Sequence, residues 1–103
     1  GGVEKWLRAS LALLRPGGVF VVIHRADALA DLLAGLFGRL GALQIFPVFP
    51  REGEAAVRMI LRGRKGSKAP LALLPGLVLH QADGRFTARA EEIHRRGGPN
   101  FPD

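Results

Sequence analysis

The chemistry this chain can offer lies in three groups of side chains. His24-Arg25 closes an unbroken apolar run, Arg51 sits in the turn Pro50-Arg51-Glu52-Gly53-Glu54, and Arg58, Arg62, Arg64, Lys65 and Lys68 crowd a stretch, residues 55–82, that contains no acid. A planar guanidinium such as that of Arg25 can take a phosphate or a carboxylate through two parallel hydrogen bonds, and the imidazole of His24 can stack on a base or bond a neighbouring loop. A row of cations can track a phosphate backbone, each contact adding salt dependence. Each pattern also has a plain structural explanation: a His-Arg pair satisfying loop carbonyls, and loop charge held in solvent. Residue types alone leave the His24-Arg25 choice open, whereas the cations taken together favour a polyanion-binding surface.

Other chemistries find little support. His24, His80 and His94 are far apart and the chain has no cysteine, so no metal-ligand spacing is present. Asp27, Glu91 and Glu92 read as a helix cap and a solvated helix face rather than a general acid or base. No nucleophile has a base beside it. Trp6 and most phenylalanines read as core, with Phe86 and Phe101 placed loosely enough to stack on a ligand.

Composition bounds the rest. The 103 residues are 48% hydrophobic, enough for one packed domain. The absence of cysteine rules out a disulfide framework and fits a reducing compartment. No run approaches the roughly 18 apolar residues a membrane span requires, so the expectation is a soluble, cytoplasmic protein without membrane contact. Fifteen Lys and Arg against nine Asp and Glu give a formal charge of +6, which favours polyanionic partners.

The elements that must position these residues can be read in order. Val3, Trp6, Leu7, Ser10, Leu11, Leu13 and Leu14 keep helical spacing over residues 3–15. Pro16-Gly17-Gly18 stops that helix in a tight turn, and 19–23 is a continuous apolar run suited to a strand buried on both faces. Asp27 is expected to cap a second helix carrying Leu29, Leu32, Leu33, Leu36, Phe37 and Leu40, ended by Gly41, with Gly35 and Gly38 allowing close packing on a sheet. Residues 43–49 read as a strand that Pro47 demotes to a sheet edge, and 56–62 as its antiparallel hairpin partner. A basic loop at 63–68 follows, then an apolar extended segment at 71–79 broken by Pro75 and Gly76, a turn at Asp83-Gly84, and a short helix capped by Thr87 with cations at its end. Residues 1–2 and 97–103 read as flexible ends.

Helix, Leu14-Arg15-Pro16-Gly17-Gly18, apolar strand, helix and strand hairpin together resemble the C-terminal half of a class I S-adenosylmethionine-dependent methyltransferase. The resemblance implies an α/β fold, a partial Rossmann-like sheet in which 19–23, 43–49 and 56–62 are strands five, six and seven. The seventh would insert antiparallel between the other two. Ile23-His24-Arg25-Ala26-Asp27, Pro50-Arg51-Glu52-Gly53, Arg62-Gly63-Arg64-Lys65-Gly66, Leu77-Val78-Leu79-His80 and Asp83-Gly84-Arg85-Phe86-Thr87 are similar to the small-domain methyltransferases that modify the exocyclic amino group of adenine in a valine tRNA.

That family carries a glycine-rich loop after its first strand, an acidic residue after its second and Asn-Pro-Pro-Tyr after its fourth. This sequence contains none of them, so no catalytic or cofactor-binding residue carries over. The expectation is a C-terminal portion of one methyltransferase domain, its N-terminal half absent, in which His24, Arg25, Arg51, Arg58, Arg62, Arg64, Lys65 and Lys68 face tRNA and the parent enzyme uses S-adenosylmethionine. The alternatives are a freestanding basic RNA-binding module without chemistry and an interaction domain that pairs through an exposed strand. A fragment would leave one edge of 19–23 unpaired and open to self-association.

Overall fold

The computed structural model describes residues 2–96; the expectations for Gly1 and for residues 97–103, Phe101 included, lie outside them. The described elements are helix α1 (Gly2–Leu13), strand β1 (Val19–Arg25), a 3-10 turn (Ala26–Ala28), helix α2 (Leu29–Leu36), strands β2 (Leu40–Arg51), β3 (Arg58–Lys65), β4 (Ala72–Leu73) and β5 (Leu77–His80), and helix α3 (Ala88–Arg96).

The strands form one mixed sheet in the order β1-β3-β2, with the short β4 and β5 both parallel to β2 on its far side. β3 runs antiparallel to both neighbours, pairing Val19↔Arg64 through Arg25↔Arg58 on one side and Val48↔Arg58 through Leu40↔Lys65 on the other. β1 and β2 therefore run in the same direction, separated by an inserted reverse strand, as the resemblance implies.

Strand periodicity sorts the side chains into two layers. On one face Leu7 and Leu11 of α1 and Leu32 and Leu36 of α2 enclose Val22, Leu40, Ile45, Met59 and Leu61. On the other, Ala90 and Ile93 of α3 cover Phe46, Val48, Ile60 and Leu77. Burying each of the larger side chains contributes about 1.5–3 kcal/mol. α3 lies against β5, and on that same face Val19, Val21 and Ile23 of β1 remain 39%, 52% and 66% exposed.

Several expectations are corrected. β2 is not outermost: β4 pairs with it at Gln44 and Ile45, and β5 from Val48 onward. Pro47 is tolerated because it faces the gap between those two short strands, where its missing N–H is not required. The second helix ends at Leu36, short of Gly41, because Phe37 turns extended and Gly38 takes φ +76°. Leu40 consequently starts a strand, and Phe37 is left 87% exposed. Gly35 makes its close approach to Leu7 of α1, not to the sheet.

Asp27 caps nothing: neither the 3-10 turn nor α2 has a side-chain cap, and Asp27 is drawn to Arg25 instead. The third strand runs from Arg58 to Lys65, so Arg64 and Lys65 belong to it and not to a loop. Thr87 does cap α3, its hydroxyl oxygen accepting the Ala90 N–H at 3.1 Å while its own O–H donates to the Val78 carbonyl at 2.6 Å.

β2 carries a register shift between Gly41 and Gln44, with Ala42 at φ 50°. A Cβ on Gly41 would run into the Ser67 carbonyl, a backbone atom that cannot step aside. Gly41→Ala is therefore expected to cost at least about 1–3 kcal/mol by overpacking, read as a lower urea midpoint.

Candidate functional site

The carboxyl ends of the parallel strands β1, β2 and β5 meet the amino end of β3 along one rim of the sheet. This rim gathers His24 and Arg25, Arg51, His80 and Arg58, for Arg25 is registered against Arg58 and Arg51 against His80.

At the first corner the Arg25 guanidinium grips Asp27 with both arms, Nε donating to Oδ1 at 3.0 Å and Nη2 to Oδ2 at 2.8 Å. Those hydrogen bonds hold the Asp27 carboxyl below the usual carboxylate range; desolvation opposes them, and the positive charges of Arg25 and Arg58 reinforce them. The same pair holds the Arg25 proton more firmly than usual. His24 turns its ring back so that Nδ1 accepts the Arg25 backbone N–H at 2.9 Å, which leaves the proton of the neutral ring on Nε2. Two residues apart and both well exposed, Arg25 and Asp27 form a pair that an incoming anion can compete for.

The middle of the rim is the β2–β3 turn. Gly53 adopts φ +81°, the Glu54 N–H returns to the Arg51 carbonyl at 3.2 Å, and the Arg51 guanidinium lies 3.9 Å from the Glu54 carboxylate. Arg58 makes a long 3.4 Å bond to the Val57 carbonyl.

At the far corner the chain reverses through Asp83-Gly84, with Gly84 at φ +88°. The reversal sets Phe86 opposite His80 in an antiparallel bridge, and the two rings stack with centroids 4.7 Å apart and planes inclined by 28°. His80 Nδ1 lies 3.0 Å from the Gly84 carbonyl; a carbonyl only accepts, so Nδ1 carries the proton and Nε2 is left as an acceptor. Gln81 donates from Nε2 to the Phe86 carbonyl at 3.1 Å, and Arg85 pairs with Asp83 at 2.7 Å. The hairpin is thus braced from several directions, while Phe86 stays 54% exposed. A groove of about 630 Å³ runs beside it, lined by Arg51, Glu52, Glu54, Val78, His80 and Gln81 among others.

The eight residues singled out by sequence do not form one surface. His24, Arg25, Arg51 and Arg58 share the rim. Arg64, Lys65 and Lys68 lie toward the opposite end, since Lys65 is seven residue steps along the strand from Arg58, about 24 Å. Arg62 stands between and donates to Gln44 Oε1 at 3.1 Å. Arg64 donates to the Gly17 carbonyl at 3.0 Å. Lys65 places its ammonium on the Leu11 and Leu14 carbonyls at 2.8 and 2.6 Å, completing the C-terminal end of α1. His80 is missed in the sequence because, unlike His24, it is weighed there only as a metal ligand. The signal is there: six residues across an Asp-Gly turn is hairpin spacing that opposes it to Phe86.

No family model and no curated protein matches the chain. A crystal structure described as a predicted O-methyltransferase from Agrobacterium tumefaciens superposes on all of it with a TM-score of 0.89 and 31% sequence identity. The fold is methyltransferase-like. This chain spans 50% of that protein's length.

S-adenosylmethionine is the methyl donor such a fold implies, and the described residues do not make a place for it. The Gly17-Gly18 turn lies at the amino end of β1, away from the rim, and the acid nearest the end of β1, Asp27, is engaged by Arg25.

Two outcomes are expected. Lys65→Met, which keeps the stem and removes both charged hydrogen bonds, should lower stability by about 1.5–3 kcal/mol in urea denaturation, whereas Lys68→Met should change it little. The Asp27 carboxyl, followed by carbon-detected NMR, should titrate below the ordinary range and return to it in Arg25→Ala. Because its folded-state value is depressed, the pair's contribution is complete above the ordinary carboxylate value and is lost as pH falls through the lowered one.

Proposed function

We propose that this chain is the RNA-facing part of an S-adenosylmethionine-dependent methyltransferase whose acceptor is the exocyclic amino group of adenine in tRNA. The observation that carries the proposal is the rim, where Arg25, Arg51 and Arg58 stand at one end of a methyltransferase-like sheet beside the stacked, half-exposed His80–Phe86 pair. Arginines suit phosphate oxygens, and an aromatic face suits a base turned out of its stack. The order of motifs from Ile23-His24-Arg25 to Phe86-Thr87 supports adenine as the acceptor. In this reading the rim positions the RNA, and cofactor and catalytic groups are supplied by residues outside this chain.

A second reading has its own support. The Agrobacterium protein is described as an O-methyltransferase, which favours an oxygen acceptor. The two separate on binding. Under the first reading the chain binds tRNA with strong salt dependence, and Arg51→Ala with Arg58→Ala weakens binding and flattens the plot of log K against log salt by about 0.7–0.9 for each phosphate no longer neutralised. Unchanged curves in fluorescence anisotropy would remove RNA and leave the oxygen acceptor.

A further inference from the structure

The His80–Phe86 stack divides two grooves. His80 lines the rim groove, whereas Phe86 lines a second, of about 720 Å³, floored by Leu77, Leu79 and Ile93 between β5 and α3. The imidazole covers one face of the Phe86 ring, yet the residue stays half exposed, so its other face is presented to this second groove. A volume of that order falls within the roughly 300–1,000 Å³ of small-ligand sites.

The cap of α3 sets the mouth of the groove. Because the Thr87 hydroxyl accepts the Ala90 N–H, Phe86 stands one residue before the cap and Glu91 four residues after it. Those are the two positions at which a pair of apolar side chains ordinarily closes over a helix start. Here the second is a carboxylate, so the aromatic face is left open with an acceptor beside it. His94 and Arg95, three and four residues beyond Glu91, follow on the same face of the helix and line the groove with it.

We propose that this groove holds a single unstacked guanine nucleotide of the bound RNA. The base stacks on Phe86, the Glu91 carboxylate takes its base-pairing edge, and Arg95 with His94 meets a phosphate. The carboxylate decides the base, for both of its oxygens accept and neither donates. Guanine sets its ring N–H and its 2-amino group side by side as two donors. Adenine and cytosine put a ring-nitrogen acceptor beside their amino group, and uracil flanks its one N–H with two carbonyls. A fatty acid suits the groove less well, since burying its chain would desolvate Glu91 without giving it a partner. The guanine is a neighbour of the adenine that accepts the methyl group, and it adds sequence selection that the phosphate contacts of the rim do not carry. The inference rests on the RNA-facing reading for the source of the nucleotide; its test uses free mononucleotides, so either can fail alone.

Titration of the full chain with guanosine 5′-monophosphate, followed by amide and methyl NMR, is expected to give saturable shifts at Leu79, Phe86 and Ile93. Inosine 5′-monophosphate, which lacks only the 2-amino group, and adenosine 5′-monophosphate should bind at least about tenfold more weakly. Phe86→Ala should weaken binding of the guanine nucleotide by at least about fivefold, and Phe86→Trp, which keeps an aromatic face, should retain it. Glu91→Gln, at an exposed helix position, exchanges one acceptor for a donor and should abolish the preference for guanine over adenine. Arg51→Ala with Arg58→Ala lies outside this groove and should leave the mononucleotide affinities unchanged, so unaltered tRNA binding in that variant refutes the rim alone. The groove assignment is overturned by equal affinity for the guanine and adenine nucleotides, by shifts that do not saturate, by binding that persists undiminished in Phe86→Ala, or by a guanine preference that survives Glu91→Gln.

Discussion

β3 is the strand on which the rest of the molecule depends. β1 and β2 run in the same direction but do not pair with each other; β3 lies between them and offers hydrogen bonds on both edges. Its alternate residues Met59 and Leu61, 2% and 0% exposed, form the floor of the helix-covered core, and Ile60 points into the smaller core beneath α3. At its last residue Lys65 reaches the end of α1 and donates to the Leu14 carbonyl and to the Leu11 carbonyl, which also accepts the Leu14 N–H. One strand thus carries sheet pairing, both cores and the anchoring of a helix. Loss of its register would release all three together, since a shift of one residue would turn Met59 and Leu61 to the opposite face.

The rim follows from that register. Because β3 runs against its neighbours, its first residue, Arg58, stands beside the last residue of β1, and cations far apart in sequence share one end of the sheet. Their pairings are of a kind that can be exchanged. Arg25–Asp27 and Arg51–Glu54 are solvent-exposed pairs between residues close in sequence, and Arg58 makes a long bond to a neighbouring carbonyl. Exposed ion pairs are weak, so replacing a carboxylate by a phosphate needs little electrostatic reorganisation. The His80–Phe86 stack is held differently, by a bridge, a positive-φ glycine and bonds from Gln81 and Thr87, and offers a rigid platform at the other corner.

The two faces of the sheet are unequally covered. α1 and α2 close one face over β1, β3 and β2, whereas α3 covers only the part of the other face nearest β5. The uncovered remainder coincides with the open edge of β1, so backbone groups with no strand partner among the described residues and exposed apolar side chains fall on the same three residues, Val19, Val21 and Ile23.

Much of the architecture is local information and was legible in the residue order. Pro16-Gly17-Gly18 stops a helix and starts an apolar strand because proline and glycine restrict or free the backbone wherever they stand. Thr87 announces a helix because its hydroxyl reaches an N–H three residues on. Partner choice is different in kind. Whether Pro47 marked an edge depended on two short strands, 72–73 and 77–80, meeting opposite its missing N–H, a coincidence no local rule contains. Asp27 had the residue type of a cap but found a stronger partner in Arg25, and Lys65 had the charge of a phosphate ligand but met the end of α1 instead. Residue order suffices for most of the helices and strands and for the abundance of cations. Packing selects which cations share a rim, which hold the fold and which edge stays open, because an ammonium or a guanidinium takes whichever acceptor the folded chain brings within reach.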